Sequence, residues 1–206
     1  MRITDRDILI LSWLTRLGAA TYADLARITG TSVEALRQRL PRLQSTGLAV
    51  ARKSHRGNRP IAVWVPTALG AKVTHTGITP APRATLTRAL TLSHAASQHY
   101  PPAAIRADIE VTRALGSLQL RKRLAGHPTP SVLPAPDLLV VDGEVTTAVE
   151  LVLEGPEAAR DWNTLLVAYQ LLDITRVDVH TNYDLLFALL NLGTTPPGIL
   201  VQTRWV

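Results

Sequence analysis

The sequence predicts an α+β protein in two parts: a helical N-terminal part closed by a β-hairpin, then a part in which strands alternate with helices. Three observations carry this expectation. Val33, Leu36, Leu40 and Leu43 recur at spacings of three, four and three, which puts all four on one face of a helix. Arg52, Lys53, His55, Arg56 and Arg59 surround Gly57-Asn58 between two strand-like runs. Beyond Pro136, short β-rich runs alternate with helical ones, the pattern of a small mixed or parallel sheet.

In order, Thr4 is the expected N-cap of a first helix, with Asp5 and Asp7 in the turn where the helix dipole favours anions. Ile8, Leu11, Leu14 and Leu17 form its stripe and Gly18 ends it. Thr21 caps a short second helix, Tyr22 to Ile28, and Thr29-Gly30-Thr31 makes the turn. Ser32 caps a third helix running to Thr46, with Gly47 as its C′ residue. Pro41 removes the bond to the Arg37 carbonyl and predicts a bend, because Leu40 and Leu43 continue the stripe past it. Strands are expected over Leu48 to Ala51 and Ile61 to Val65, with the basic residues in the loop between them. Thr67 caps a short helix through His75, and residues 76–83, with Pro80 and Pro82, read as a linker or bend.

Further helices are expected over Ala84 to Gln98 and, after Pro101-Pro102, over Ala103 to Leu124, where Ala104, Val111, Leu115 and Leu118 share a face. Leu138 to Val141 and Val145 to Val152 read as strands joined by an Asp142-Gly143 turn. A helix over Pro156 to Leu172, a strand over Val177 to His180, a helix over Tyr183 to Leu192 and a strand over Ile199 to Val206 complete the chain. The expected domains are 1–78, a helical linker 79–103, and 104–206.

Composition narrows the function. The 206 residues, 46% of them hydrophobic, suffice for one large or two small packed domains. There is no cysteine, hence no disulfide or thiolate zinc site. The charged start, Met1 to Asp7, lacks a signal-peptide pattern, and no run approaches the roughly 18 apolar residues of a membrane helix, so a cytoplasmic protein without membrane association is expected. Residues 1–90 hold 14 Lys and Arg against 4 Asp and Glu, a net +10, while residues 91–206 hold 8 against 12, a net −4. A basic first half suits a nucleic-acid partner.

Helix, turn, helix and basic hairpin, in that order, make a winged helix-turn-helix. Opposite the apolar stripe of the third helix, Gln38 points outward with Arg42, Ser45 and Glu34 near it, and Arg37 and Arg39 flank it. Gln bridges adenine N6 and N7, and Arg bridges guanine O6 and N7, so Gln38 and Arg42 are the expected base readers. Ser32, Arg37, Arg39, Arg52, Lys53, His55, Arg56 and Arg59 complete the expected DNA-contacting set, the flanking and hairpin cations as phosphate clamps. Trp13, Trp64, Trp162 and Trp205 read as core or interface residues.

In the C-terminal part, Pro136-Asp137 opens a strand and Glu150 follows 13 residues later. This ordering resembles the nuclease pattern in which two carboxylates hold a divalent metal and a lysine two positions after the second activates water. Val152 occupies that lysine position, no lysine follows Lys122, and Arg160 is the nearest cation. Asp137 and Glu150, with Glu154 as a distant third, are therefore residual metal candidates, and no catalytic residue or cofactor is expected. The plain alternative is that Asp137 caps a turn and Glu150 makes a polar contact.

Leu36 to Val50 (LRQRLPRLQSTGLAV), Leu92 to Ala95 (LSHA), Ala135 to Val140 (APDLLV), Ala148 to Leu151 (AVEL) and Tyr169 resemble the replication-relaxation family of plasmid and mobile-element proteins. His94 matches a histidine recurring in that family. The family often has an aspartate where this chain has Val152, and a lysine, absent here, in the helix before Tyr169. The resemblance implies a winged helix followed by a degenerate restriction-endonuclease-like domain, in proteins associated with plasmid replication, mobilisation or transcriptional control. The expectation is thus a non-enzymatic, sequence-specific binder of double-stranded DNA, a transcriptional regulator or a plasmid or mobile-element replication accessory factor. It is expected to be a homodimer through its C-terminal domain, using leucine-rich faces of the Pro156–Leu172 and Tyr183–Leu192 helices. The alternatives are a metal-dependent nuclease or nickase using Asp137 and Glu150, and a regulator whose C-terminal part senses a small ligand.

Overall fold

A computed structural model describes residues 3–56, 59–74, 86–107, 109–153, 160–184, 186, 190 and 195–206. The chain is α+β and divides into two compact units, Met1–Pro102 and Ala103–Val206. The helix expected as a linker is therefore the last element of the first unit. The expected tip Gly57-Asn58, the segment 76–83 with its prolines, His75, Glu154 and 156–159 lie outside the described residues. So does most of the expected Tyr183–Leu192 helix.

In the first unit, α1 (Asp5–Leu17), α2 (Tyr22–Thr29) and α3 (Val33–Ser45) precede a two-stranded antiparallel sheet, β1 (Ala49–Arg56) and β2 (Arg59–Pro66), then α4 (Ala68–Val73) and α5 (Leu86–His99). The caps dictate the helix starts. Thr4 and Thr21 each form a reciprocal capping box with an aspartate three residues on, Asp7 and Asp24. Ser32 accepts from the Ala35 N–H at the start of α3. Gly30 sits at φ +65° in the turn between α2 and α3, a left-handed conformation glycine adopts without steric cost. α3 ends in a Schellman motif: Leu48 N–H donates to the Leu43 carbonyl and Gly47 N–H to that of Gln44, with Gly47 at φ +73°. Pro41 lies exposed within α3, which continues past it as one helix.

Leu36, Leu40 and Leu43 are sealed from solvent, each side chain worth about 1.5–3 kcal/mol of burial, whereas Val33 is half-buried. Ala20 pairs with Trp64 through two backbone hydrogen bonds, joining the α1–α2 connection to β2. Tyr22 packs its edge against the Trp64 ring at 5.8 Å. α5 lays small residues, Ala89, Ser93, Ala95 and Ala96, into the interior, and Ala89 packs with Ala19 and Val63. The hairpin corrects one expectation. β1 extends through Arg56 and β2 begins at Arg59, so the basic residues lie in the ladder, paired from Ala49–Pro66 to Arg56–Arg59.

A 3₁₀ turn, Pro102–Ala104, spans the boundary; the second unit then holds β3 (Ile105–Ala107), α6 (Ile109–Leu124), β4 (Leu138–Asp142), β5 (Val145–Val152), α7 (Trp162–Leu171), β6 (Arg176–Thr181) and β7 (Leu200–Trp205). The five strands form one mixed sheet in sequence order, antiparallel from β3 to β5 and parallel from β5 to β7. Val111 and Leu115 of α6 and Leu166 and Tyr169 of α7 pack with Leu139, Ala148, Val152, Val177 and Val179 of the sheet. Several boundaries differ from expectation. The helix expected from Ala103 starts at Ile109, because Ile105–Ala107 pair with Leu138–Val140 as an edge strand, which also removes Ala104 from the helical face. The β4–β5 turn is Gly143-Glu144, since Asp142 pairs with Val145. α7 begins at Trp162 behind the N-cap Asp161, and the expected helical residues 156–159 before it lie outside the described residues.

Candidate nucleic-acid interface and the acidic cluster

α3 presents opposed faces. Glu34, Arg37, Gln38, Pro41, Arg42 and Ser45 are exposed, at the three- and four-residue spacing of one helical face, while Leu36, Leu40 and Leu43 face the interior. Ser32, at the head of the helix, is exposed, as are Arg52 and Lys53 on β1. The backbone of His55, Arg56 and Arg59 continues the ladder toward the tip, and their side chains lie outside the described residues. Arg37 and Glu34 pair at 3.5 Å with side chains 63% and 70% exposed, a geometry that water screens strongly.

Arg39 departs from the expected set. Its Nη1 donates to Asp7 Oδ1 at 2.8 Å and to Thr4 Oγ1 at 3.2 Å, tying α3 to the N-terminus of α1. Burial alone would raise the Asp7 pKa, but bonds from the Thr4 side chain and backbone and from Arg39 outweigh it and hold the carboxyl below its ordinary value. Arg39 is a brace for α3, a role hidden in sequence because its partners are 35 and 32 residues away.

A second polar cluster braces α5. Asp24 Oδ2 accepts from Thr21, completing the capping box, while Oδ1 meets His94 Nδ1 at 3.2 Å and accepts from Ser97 Oγ at 3.0 Å. Ser93 Oγ donates to the Ala19 carbonyl. The Leu92–Ala95 motif thus lies where α5 meets α2 and the α1–α2 connection.

In the second unit, Asp137 and Glu150 are both committed to protein donors. Asp137 donates its N–H to the Val149 carbonyl at 2.9 Å and accepts from the Leu151 N–H at 2.8 Å, stitching the start of β4 to the end of β5. Glu150 is 1% exposed; one carboxylate oxygen accepts from the Tyr169 hydroxyl and the other from Arg160 Nη1 at 2.8 Å. Burial raises the Glu150 pKa, the Tyr169 and Arg160 bonds pull it down, and the nearby Asp137 charge pushes it up, leaving it above the ordinary value. Burial first, and Glu150 second, hold the Tyr169 phenol far above its ordinary pKa, so it stays a donor. The Arg160 guanidinium also lies 5.2 Å from the Trp162 ring centroid.

In the sequence Glu150, Arg160 and Tyr169 stand apart, and no spacing among them joins them into one cluster. The cluster forms because β5 and α7 pack face to face. Among the described residues no three His, Asp or Glu side chains gather as a metal ion would require. α7 turns Leu166 inward and leaves Leu165 and Leu171 half-covered, so Val167 is its one exposed large apolar residue and the expected leucine-rich outer face is not present there. Among the described residues no helix is long and apolar enough to cross a membrane. Comparison of the chain with family models, with curated proteins and with solved structures finds no match.

Proposed function

We propose that this chain is a cytoplasmic, sequence-specific binder of double-stranded DNA, acting without catalysis as a transcriptional regulator or as a plasmid or mobile-element replication accessory factor. The first unit serves as a winged helix-turn-helix, with α3 in the major groove and the β1–β2 hairpin as the wing. One observation carries this reading: the exposed polar face of α3, with Arg37, Gln38 and Arg42, is followed directly by a hairpin exposing Arg52 and Lys53. Gln38 and Arg42 read base edges, while Ser32, Arg37, Arg52, Lys53 and the hairpin residues His55, Arg56 and Arg59 hold phosphates. Arg39, bound to Asp7, orients the reading helix.

The second unit is a non-catalytic platform in the manner of a degenerate restriction-endonuclease-like fold, through which two copies pair and present half-sites about one helical turn apart. The occupied oxygens of Glu150 support a structural role over the nuclease alternative. Duplex titration by fluorescence anisotropy tests the whole. Replacing Arg52 and Lys53 together by alanine is expected to weaken binding to all sequences and to reduce the salt slope by about 0.9 for each phosphate left without its cation. Gln38→Ala is expected to relax sequence preference. Unchanged titrations for both variants would remove this model of DNA binding.

A further inference from the structure

We propose that Glu34 is a base-reading residue that selects a cytosine by accepting a hydrogen bond from its exocyclic amine. The inference rests on the DNA-binding reading above and extends it to the composition of the target site.

Residues 1–90 contain four acids, Asp5, Asp7, Asp24 and Glu34. Asp7 and Asp24 are buried in capping boxes, and Asp5 lies in the first turn of α1. Glu34 alone of the four stands on the outward face of α3, in line with Gln38 and Arg42. A carboxylate pressed toward a polyanion is repelled unless donors meet it. In the major groove the base-edge donors are the amines of cytosine and adenine, and glutamate pairs with the cytosine N4 amine. In the free chain Arg37 screens Glu34 at 3.5 Å, an exposed and weakly held pair. On a duplex Arg37 is free to turn to the adjoining phosphate while Glu34 takes the base amine, so both charges keep a partner.

Spacing extends the inference. Glu34, Gln38 and Arg42 follow one another every four residues, a rise of about 6 Å with about 40° of rotation per step. That rise is close to two base-pair steps of about 3.4 Å. A half-site with cytosine, adenine and guanine contacts at intervals of about two base pairs therefore suits this face.

The test is selection of bound sequences from randomised duplexes by the full chain and by its E34A, E34Q and Q38A variants, with circular dichroism confirming that each is folded. The wild-type chain is expected to enrich a motif containing a C·G pair about two steps from the pair that Q38A relaxes. E34A is expected to lose that C·G preference by roughly fivefold or more, with affinity for unselected duplex unchanged or stronger, because an acid has been removed. E34Q is expected to shift the same position toward A·T, since an amide reads adenine. A motif whose weights E34A leaves intact at every position overturns the inference while leaving the DNA-binding proposal standing. So does an E34A-sensitive position that prefers A·T in the wild type. A wild-type chain that enriches no motif overturns the proposed sequence-specific function itself, and this inference with it.

Discussion

Tyr169→Phe isolates what the buried cluster of the second unit contributes. The substitution keeps the ring among Val111, Leu115 and Leu166, and removes one hydroxyl donor from a carboxylate that is 1% exposed. A hydrogen bond to a charged group is worth about 1.5–3 kcal/mol, and the retained ring leaves little cavity cost to add. The loss depends on pH. Burial already raises the folded-state pKa of Glu150 above its ordinary 4.5, and the Tyr169 bond pulls it back, so the variant raises it further. A carboxyl whose folded pKa is raised contributes stability below its unfolded pKa and loses that contribution as pH rises through the folded value. The penalty at about pH 8 is therefore expected to reach about 1.5–3 kcal/mol, and near about pH 4 to fall toward the 0.5–1.5 kcal/mol or so of a neutral bond. Urea titration read by hydrogen exchange in peptides spanning β5 and α7 reports this unit separately from the first. A penalty under about 0.5 kcal/mol at high pH, or equal penalties at both pH values, would refute the assignment of a buried ionised carboxylate held by Tyr169.

Asp7→Asn is expected to destabilise the first unit by about 1 kcal/mol near neutral pH, through the weakened capping box and the broken Arg39 pair. Because bonding lowers the folded pKa of Asp7 beneath its ordinary 3.8, that contribution is present above 3.8 and lost as pH falls through the folded value, so the stability difference between the wild-type and Asn proteins should shrink in thermal melts as pH falls below 3.8. Gly70→Ala would place a Cβ 2.0 Å from the Leu48 carbonyl oxygen, a backbone atom, and should cost at least about 1–3 kcal/mol by chemical denaturation. Gly116→Ala, on α6 with nothing within 4 Å, should instead stabilise by up to about 1 kcal/mol; a matching loss there would show that crowding does not explain Gly70.

Elements whose hydrogen bonds close locally were legible. The caps Thr4, Thr21 and Ser32, the turn at Gly30 and the C′ glycine Gly47 act within a few residues, and the Leu36–Leu40–Leu43 stripe follows from helical periodicity alone. What eluded sequence reading depends on partners far along the chain. Ile105–Ala107 is a strand because Leu138–Val140 offers it a ladder, although its own pattern continues that of α6. Arg52 to Arg56 lacks β-rich composition and is extended because Ile61 to Val65 and the residues flanking it complete the pairing. Arg39 looks in sequence like its neighbour Arg37; its half-buried place beside Asp7 emerges once α1 and α3 pack. The Glu150–Tyr169–Arg160 cluster likewise requires α7 to lie over β5.

The two acidic sites follow one physical logic with opposite consequences for function. A carboxylate that binds a divalent ion must be ionised and must direct lone pairs at an open position. Glu150 is disposed otherwise: it is sealed from solvent, and both oxygens already accept from side chains. Opening it to an ion would strip Tyr169 and Arg160 of their acceptor and expose the joint between β5 and α7. Glu34 is exposed and paired at 3.5 Å to an arginine that solvent screens, so exchanging partners costs little. In a first unit whose Asp7 and Asp24 are spent on capping boxes, that freedom makes Glu34 suited to recognition, while Asp137 and Glu150 are suited to holding a sheet together.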